Sequence, residues 1–339
     1  MKGAQVRNTI RRWTMFVAPV VLGVALVSSA SNAGAQSGTR SLQPHTTAPP
    51  SLTQLGSDLV SAQSVTTFPQ SLLSELGNNL SHQSYAGGCT SAKTATAIVI
   101  TSGCTFGDST SPKIVVLFGD SLASMWQPAL NWLGTTDHFR LVLVARLNCP
   151  FAALAKSAYK DPFCNQWRAN AIKYINSLKP SVVIFSEKNV GSIDPTAPSA
   201  SPTVFAAGIK VTMSAVHSPL KVVFLGMPYV HYDSSYSDDP GSCMAVYSTA
   251  LTKCDSPVAK TLIVSRIADD TRAIHSVANT KIVTITNLVC GPKTCPVVAY
   301  DAGTPYIVFS NEFHITKWYS AELGSALGTD LKNSHVTNL

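Results

Sequence analysis

The sequence predicts an α/β fold: a three-layer, doubly wound parallel sheet of about five strands, with helices on both faces. Two observations predict it. Runs of strand length recur at Ile114–Phe118, Leu141–Ala145, Val182–Phe185, Val222–Leu225 and Ile282–Ile285. They are apolar almost throughout rather than at alternate positions, which marks strands buried on both faces. Between them lie segments of helical spacing, Ala123–Leu133, Asn165–Leu178, Pro202–Val216 and Val258–Val277, and a terminal helix is expected over Thr316–Leu331. Strand and helix in strict alternation imply right-handed crossovers, with the chemistry gathered at the carboxyl ends of the strands.

The N-terminal end reads as an export leader, residues 1–35. Lys2, Arg7, Arg11 and Arg12 form a basic head, Trp13 to Val27 an apolar middle, and Ala33-Gly34-Ala35 a small-residue cleavage site before Gln36. An uncleaved membrane anchor is the alternative, since the apolar run is nearly long enough to span. Residues 36–56, rich in Ser, Thr, Pro and Gln, read as a linker. Residues 57–112 read as a lead-in: Leu52 to Leu80 is modestly helical and broken at Pro69, and Ala95 to Ile100 suggests a small strand or hairpin. The main domain is then 113–339.

Composition narrows the function. With 45% hydrophobic and 13% charged residues, the 339-residue chain can bury a substantial core. The leader holds four of the 25 basic residues, leaving 21 against 18 acidic ones, a net charge of +3. That charge is too weak and too dispersed to indicate nucleic-acid binding. No second apolar span follows the leader, so the processed chain is expected outside the cytoplasm with no membrane span. Eight cysteines all follow the leader, and an even count in an exported chain indicates disulfides. Connectivity cannot be read from sequence alone. Taking neighbours in order gives Cys89–Cys104, Cys149–Cys164, Cys243–Cys254 and Cys290–Cys295. Zinc is the competitor, but no Cys-x-x-Cys and no neighbouring His pair appears.

The stretch that organises the rest is Lys113 to Leu122, an apolar run ending abruptly in Gly119-Asp120-Ser121 before a helical segment. Strand, tight turn and helix place a hydroxyl where backbone amides face outward and stabilise developing negative charge. Most such triplets are ordinary helix caps. A partner lies far downstream in Asn311-Glu312-Phe313-His314-Ile315-Thr316, where His314 can serve as general base if the sheet brings it to Ser121. A lone histidine before a helix is more often a partly buried structural residue.

Here the pieces match a family. From Lys113 to Leu331 the chain resembles the SGNH (GDSL-type) hydrolases of flavodoxin-like fold. It is most similar to the extracytoplasmic SGNH domain fused to membrane acyltransferase-3 proteins, here free-standing. The resemblance rests on Leu117 to Leu130 with its Trp126 and Pro128, on Cys149-Pro150 followed by Cys164-Asn165-Gln166-Trp167, and on the pairs Cys243/Cys254 and Cys290/Cys295. Phe313-His314-Ile315-Thr316 completes the order.

The resemblance implies that Ser121 is the nucleophile, His314 its base, and Asn189 in Glu187-Lys188-Asn189 a side-chain donor to the oxyanion beside the Ser121 amide. Two positions depart from the family. An acid is usual three residues before the histidine, and Asn311 stands there; Glu312 and, more remotely, Asp301 are substitutes. The glycine whose amide completes the oxyanion hole is not visible in Arg146-Leu147-Asn148-Cys149, leaving the Asn148 amide as its replacement.

The expected function is an exported serine esterase or O-acyltransferase working through an acyl-enzyme on short acyl esters, acetyl above all, of carbohydrates. That substrate class follows from the resemblance; Trp126 and Trp167 can stack on a sugar, but at their spacings aromatic residues are more often core. Acyl transfer through serine requires no metal or organic cofactor, and none is expected. The alternative is a non-catalytic module of the same fold, its triad decayed at Asn311, that binds cell-envelope glycan or another protein.

Overall fold

A computed structural model describes residues 49–76, 80, 85, 88–99, 104–154, 161–188, 201–232, 239–336 and 339. The leader, most of the linker and Asn189 lie outside the described residues.

The five apolar runs all form strands. In chain order the strands are β1 (Thr90–Ser91), β2 (Thr105–Gly107), β3 (Ile114–Gly119), β4 (Arg140–Arg146), β5 (Val182–Ser186), β6 (Leu220–Leu225), β7 (Ser256–Pro257), β8 (Thr280–Thr284), β9 (Thr294–Cys295), β10 (Val298–Asp301) and β11 (Thr304–Ile307). The five long ones pair in parallel in the order β4-β3-β5-β6-β8, so the chain starts at β3, steps once to β4 on one side, and then winds outward through β5, β6 and β8 on the other. That is the doubly wound order whose switch point falls between the first and third strands, here β3 and β5. Two short strands extend the β4 edge, parallel β1 and antiparallel β2, making seven.

Successive residues of a strand point to opposite faces, and the burial follows that alternation. Val115, Leu117, Leu143, Ile184 and Phe224 enter one core. Its cover is α1 (Leu52–Ala62), α3 (Ser121–Met125), α4 (Gln127–Thr136), α9 (Lys317–Glu322) and α10 (Gly324–Asn333), which follow α2 (Leu73–Leu76) and the helices named next. Val116, Phe118, Val144, Phe185 and Val223 enter a second core beneath α5 (Pro162–Leu178), α6 (Pro202–Ala215) and α8 (Val264–His275). Short α7 (Pro240–Val246) carries Cys243. The four disulfides join neighbouring cysteines, Cys89–Cys104, Cys149–Cys164, Cys243–Cys254 and Cys290–Cys295.

Several expectations need correction. The helix read as Ala123–Leu133 is two helices with a break at Trp126, because Pro128 has no N–H and its ring clashes with the carbonyl four residues back, at Ser124. The terminal helix likewise divides, at Leu323, and α10 opens on Gly324, where a Cβ would lie 2.7 Å from the Trp132 ring. The helix expected over Val258–Val277 begins only at Val264; the residues before it are tied elsewhere, Val258 N–H to Lys293 O at 2.9 Å and Thr261 O to the Tyr229 amide at 3.1 Å. The lead-in strand lies at Thr90–Ser91, while Ala95–Val99 is irregular. The first turn of α1 occupies residues 52–56, which were read as linker. Trp126 and Trp167 are fully buried, which removes them as sugar platforms.

Candidate active site

Residues 115–127 are buried at every position except Ser121. The local sequence explains why. Gly119 faces Ser186 across the sheet, and a Cβ there would lie 1.8 Å from the Ser186 carbonyl oxygen, so only glycine lets β3 and β5 close at their carboxyl ends. Asp120 then leaves the strand and caps α3, its Oδ1 accepting from Leu122 N–H at 2.8 Å and its Oδ2 from Lys188 N–H at 3.0 Å. Burial drives the Asp120 pKa up to about 6, against those two amides and the Lys188 charge, which favour the ionised form. Ser121 is thus the first residue of α3, with its backbone N–H at the helix mouth, and is only partly buried.

His314 sits on a loop closed by the Phe309–Ile315 bridge and by a Ser310 N–H to His314 O bond of 2.8 Å. Asn311 organises this loop. Its Oδ1 accepts from Phe313 N–H at 3.1 Å and His314 N–H at 3.0 Å, and it lies 3.0 Å from His314 Nδ1. An atom that receives two backbone amides is the carbonyl oxygen of the side-chain amide, which can only accept. Nδ1 therefore carries the proton and donates to it, and Nε2 keeps its lone pair. Burial and the Lys188 ammonium push the His314 pKa down, to about 3, so the imidazole is neutral and ready to accept.

Lys188 links the two loops. Its backbone amide holds Asp120, next to Ser121, and its Nζ lies 3.8 Å from the centre of the Phe313 ring, next to His314. The Gly119–Ser121 turn, the end of β5 and the histidine loop thus meet at the switch point of the sheet. Tyr85 reaches the same place from the N-terminal segment, its hydroxyl donating to Ile315 O at 2.5 Å.

The loop after β4 forms the third wall. Asn148 adopts a left-handed backbone, φ 53°, a region that glycine enters freely and asparagine tolerates better than most residues. It therefore reproduces the conformation of the missing glycine. The loop is held from beneath at several points. Arg168 Nε and Nη2 donate to Pro150 O at 3.0 and 2.8 Å, and buried Glu187 accepts from Ala152 N–H at 2.8 Å. Phe151 packs on Phe185 and Phe118 with ring centres 5.0 and 6.5 Å away. At the end of β4, fully buried Arg146 pairs with Asp161 at 2.8 Å and donates to Ala95 O at 2.9 Å.

Of the residues expected from sequence, Ser121, His314, Asn311 and Asn148 lie on loops at the carboxyl ends of neighbouring strands or on the loop that meets them. Asn311, not Glu312 or Asp301, is the group on His314 Nδ1. The Glu312 carbonyl accepts from Val230 N–H at 2.7 Å, and Asp301 belongs to the β10–β11 hairpin. Neither Lys188 nor Tyr85 carries a motif of its own, and the adjacency of Lys188 to Asn189 is the one signal along the chain.

The family model described as the SGNH domain fused to AT3 domains matches residues 88–328, well over half of the chain. The chain belongs to the SGNH family. Its match to the periplasmic domain of the Salmonella ser. Paratyphi A lipopolysaccharide acetyltransferase has a TM-score of 0.53 at 13% identity, covering 77% of this chain and 98% of that one. At this identity the likeness supports the SGNH fold and not a shared activity. A carbohydrate acetylesterase family member from Sinorhizobium meliloti also matches, with a TM-score of 0.34 at 12% identity over 66% of this chain and 98% of that one. No curated protein matches the sequence. Among the described residues, no helix of this SGNH domain is long and apolar enough to cross a membrane.

Proposed function

We propose that this protein is an exported serine esterase or O-acyltransferase that moves short acyl groups, acetyl above all, on or off carbohydrate. The observation that carries the reading is the 3.0 Å approach of Asn311 Oδ1, which already accepts two backbone amides, to His314 Nδ1: it assigns the ring proton to Nδ1 and leaves Nε2 as the acceptor. In this reading Ser121 Oγ attacks the ester carbonyl while its proton passes to Nε2. The tetrahedral oxyanion accepts from the Ser121 amide, the Asn148 amide and the Asn189 side chain, each good donor contributing roughly 3–4 kcal/mol. His314 returns the proton to the departing sugar alkoxide, leaving an acyl-enzyme. Water, or a second sugar hydroxyl, then gives its proton to Nε2, attacks the acyl carbon and releases Ser121.

The substrate class draws on the fold neighbour with a TM-score of 0.53, the periplasmic domain of a lipopolysaccharide acetyltransferase. Four disulfides and a periplasmic neighbour support a location outside the cytoplasm. The non-catalytic reading retains one specific argument: Asn311 brings no charge to offset an imidazolium, and Lys188 opposes one. The test separates the two. Purified residues 36–339 are expected to hydrolyse an activated acetyl ester in preference to an octanoyl ester, and Ser121→Ala to lose that activity with an unchanged thermal midpoint. Equal inertness of both proteins on activated esters and acetylated sugars establishes the binding-module reading instead.

A further inference from the structure

Tyr85 lies three residues ahead of the segment that matches the family, yet it contacts the histidine loop at both ends. Its hydroxyl donates to Ile315 O at 2.5 Å and lies 3.4 Å from Ser310 Oγ. Ser310 and Ile315 close the loop on either side of His314, joined to it by the Ser310 N–H to His314 O bond and the Phe309–Ile315 bridge. The phenol ring also lies nearly parallel to the imidazole, 21° between planes and 6.4 Å between centres. Partners 225 and 230 residues away in sequence are met by one side chain.

We propose that Tyr85 is a positioning residue for His314, so that the segment preceding the SGNH domain completes the base pocket. The inference rests on the reading of His314 as the base, and it adds a component that lies outside the matched domain.

The physical case has three parts. A buried phenol hydroxyl is costly without a partner, and here its proton goes to the main chain of the loop that must stay fixed. Burial also raises the Tyr85 pKa, so the group remains a donor throughout the working pH range. The ring lies beside the imidazole and nearly parallel to it. Asn311 fixes which nitrogen is protonated, but a single bond to Nδ1 leaves the ring free to swing about that contact. A second surface parallel to the imidazole removes that freedom and fixes where Nε2 points. The Cys89–Cys104 disulfide, four residues on, ties this segment covalently to the start of β2. The segment is therefore anchored independently of the bonds Tyr85 makes.

The test uses residues 36–339 with Tyr85→Phe and Tyr85→Ala. Each is read by the NMR titration of the His314 ring protons, by kcat and KM on an activated acetyl ester, and by thermal midpoint. Tyr85→Phe keeps the ring and loses the bond, so kcat is expected to fall about fivefold with KM unchanged, the worth of one ordinary hydrogen bond. Tyr85→Ala lets water in and releases the ring, so kcat is expected to fall about 10²-fold, as for a misplaced catalytic group. The His314 titration should then move up toward the ordinary histidine range. An unmoved His314 titration in Tyr85→Ala, alongside a lowered thermal midpoint, overturns the proposal and leaves Tyr85 a structural residue. If Tyr85→Ala does not fold, Tyr85→Phe decides: unchanged kcat and unchanged His314 shifts overturn it. Should the parent protein turn over no ester at all, a displaced His314 titration still supports the positioning and only the esterase reading falls.

Discussion

Asn311→Asp isolates what this site lacks. The carboxylate keeps an acceptor where Asn311 Oδ1 now receives Phe313 N–H, His314 N–H and His314 Nδ1, so the loop and the tautomer are preserved. What changes is charge. A unit negative charge about 4 Å from the imidazolium, at an effective dielectric of about 20, stabilises it by about 4 kcal/mol. That is a ceiling of about 10³ in rate. Desolvating a carboxylate in a half-buried loop takes back about half, leaving an expected gain of about 30-fold in kcat. The gain is smaller than the roughly 10⁴ separating Asp from Asn in serine proteases, where the asparagine also selects the wrong tautomer. Here the tautomer is already right. The same charge raises the His314 pKa from about 3, so the acid limb of the pH–rate profile should move upward. The assay is kcat on an activated acetyl ester from pH 3 to 8, with Asn311→Ala as a control that loses the loop and falls below the parent. If Asn311→Asp matches or trails the parent at an unchanged thermal midpoint, missing charge is not what limits this base.

Two predictions concern the frame. Gly119→Ala inserts a Cβ 1.8 Å from the Ser186 carbonyl oxygen and should cost about 3 kcal/mol in denaturant unfolding, with loss of ester turnover. Gly56→Ala, inside α1 with nothing within 4 Å of the new Cβ, should instead stabilise by about 0.5–1 kcal/mol. A small, equal effect of both would refute the close-approach account of Gly119. Asp255 is a partly buried carboxyl whose pKa burial raises to about 7, against the Val297 amide bonded to its Oδ1 at 3.0 Å. Its unfolded value is about 3.9, so between roughly pH 4 and 7 the folded chain binds more protons, and this group's contribution to stability falls as pH rises. Asp255→Asn cannot ionise and keeps the acceptor. Its thermal midpoint should equal the parent's near pH 4 and exceed it by a few degrees above pH 7. A pH-independent difference would show that Asp255 acts by packing alone. Taking the difference between the two proteins also cancels the opposing contribution of His314, whose lowered pKa adds stability above pH 6.5 that is lost as pH falls toward 3.

The sheet was legible because strands buried on both faces have nearly every residue apolar, and no other local structure of four to six residues leaves that mark. The edge was not. β1 has two residues and β2 three, too few for any periodicity, and each directly follows a cysteine of the Cys89–Cys104 disulfide, a contact that no local pattern encodes. The β10–β11 hairpin was missed although Asp301-Ala302-Gly303-Thr304 is turn-like, with φ 46° at Ala302 and 84° at Gly303. Helix ends failed where a tertiary contact decides them, as at Gly324 against Trp132. In the candidate site, the Ser121 turn was legible because an apolar strand that ends abruptly before a helix leaves a mark along the chain. Lys188 and Tyr85 were not, since a cation over a ring and a bond across 230 residues leave no trace along the chain.

The two departures from the family pattern turn out to share a physical form, and that bears on whether the site has decayed. Where the family has a glycine, Asn148 takes up the left-handed backbone that a glycine would adopt. Where it has an acid, Asn311 offers an oxygen at 3.0 Å to the same ring nitrogen and holds two backbone amides besides. Asparagine suits both places, being tolerant of positive φ and carrying an acceptor at the length of aspartate. Each substitution keeps the geometry and gives up one other property, the small size of glycine or the charge of the acid. On the proposed reading His314 is a base without a counter-charge, which is why adding that charge back is the most informative single change to make.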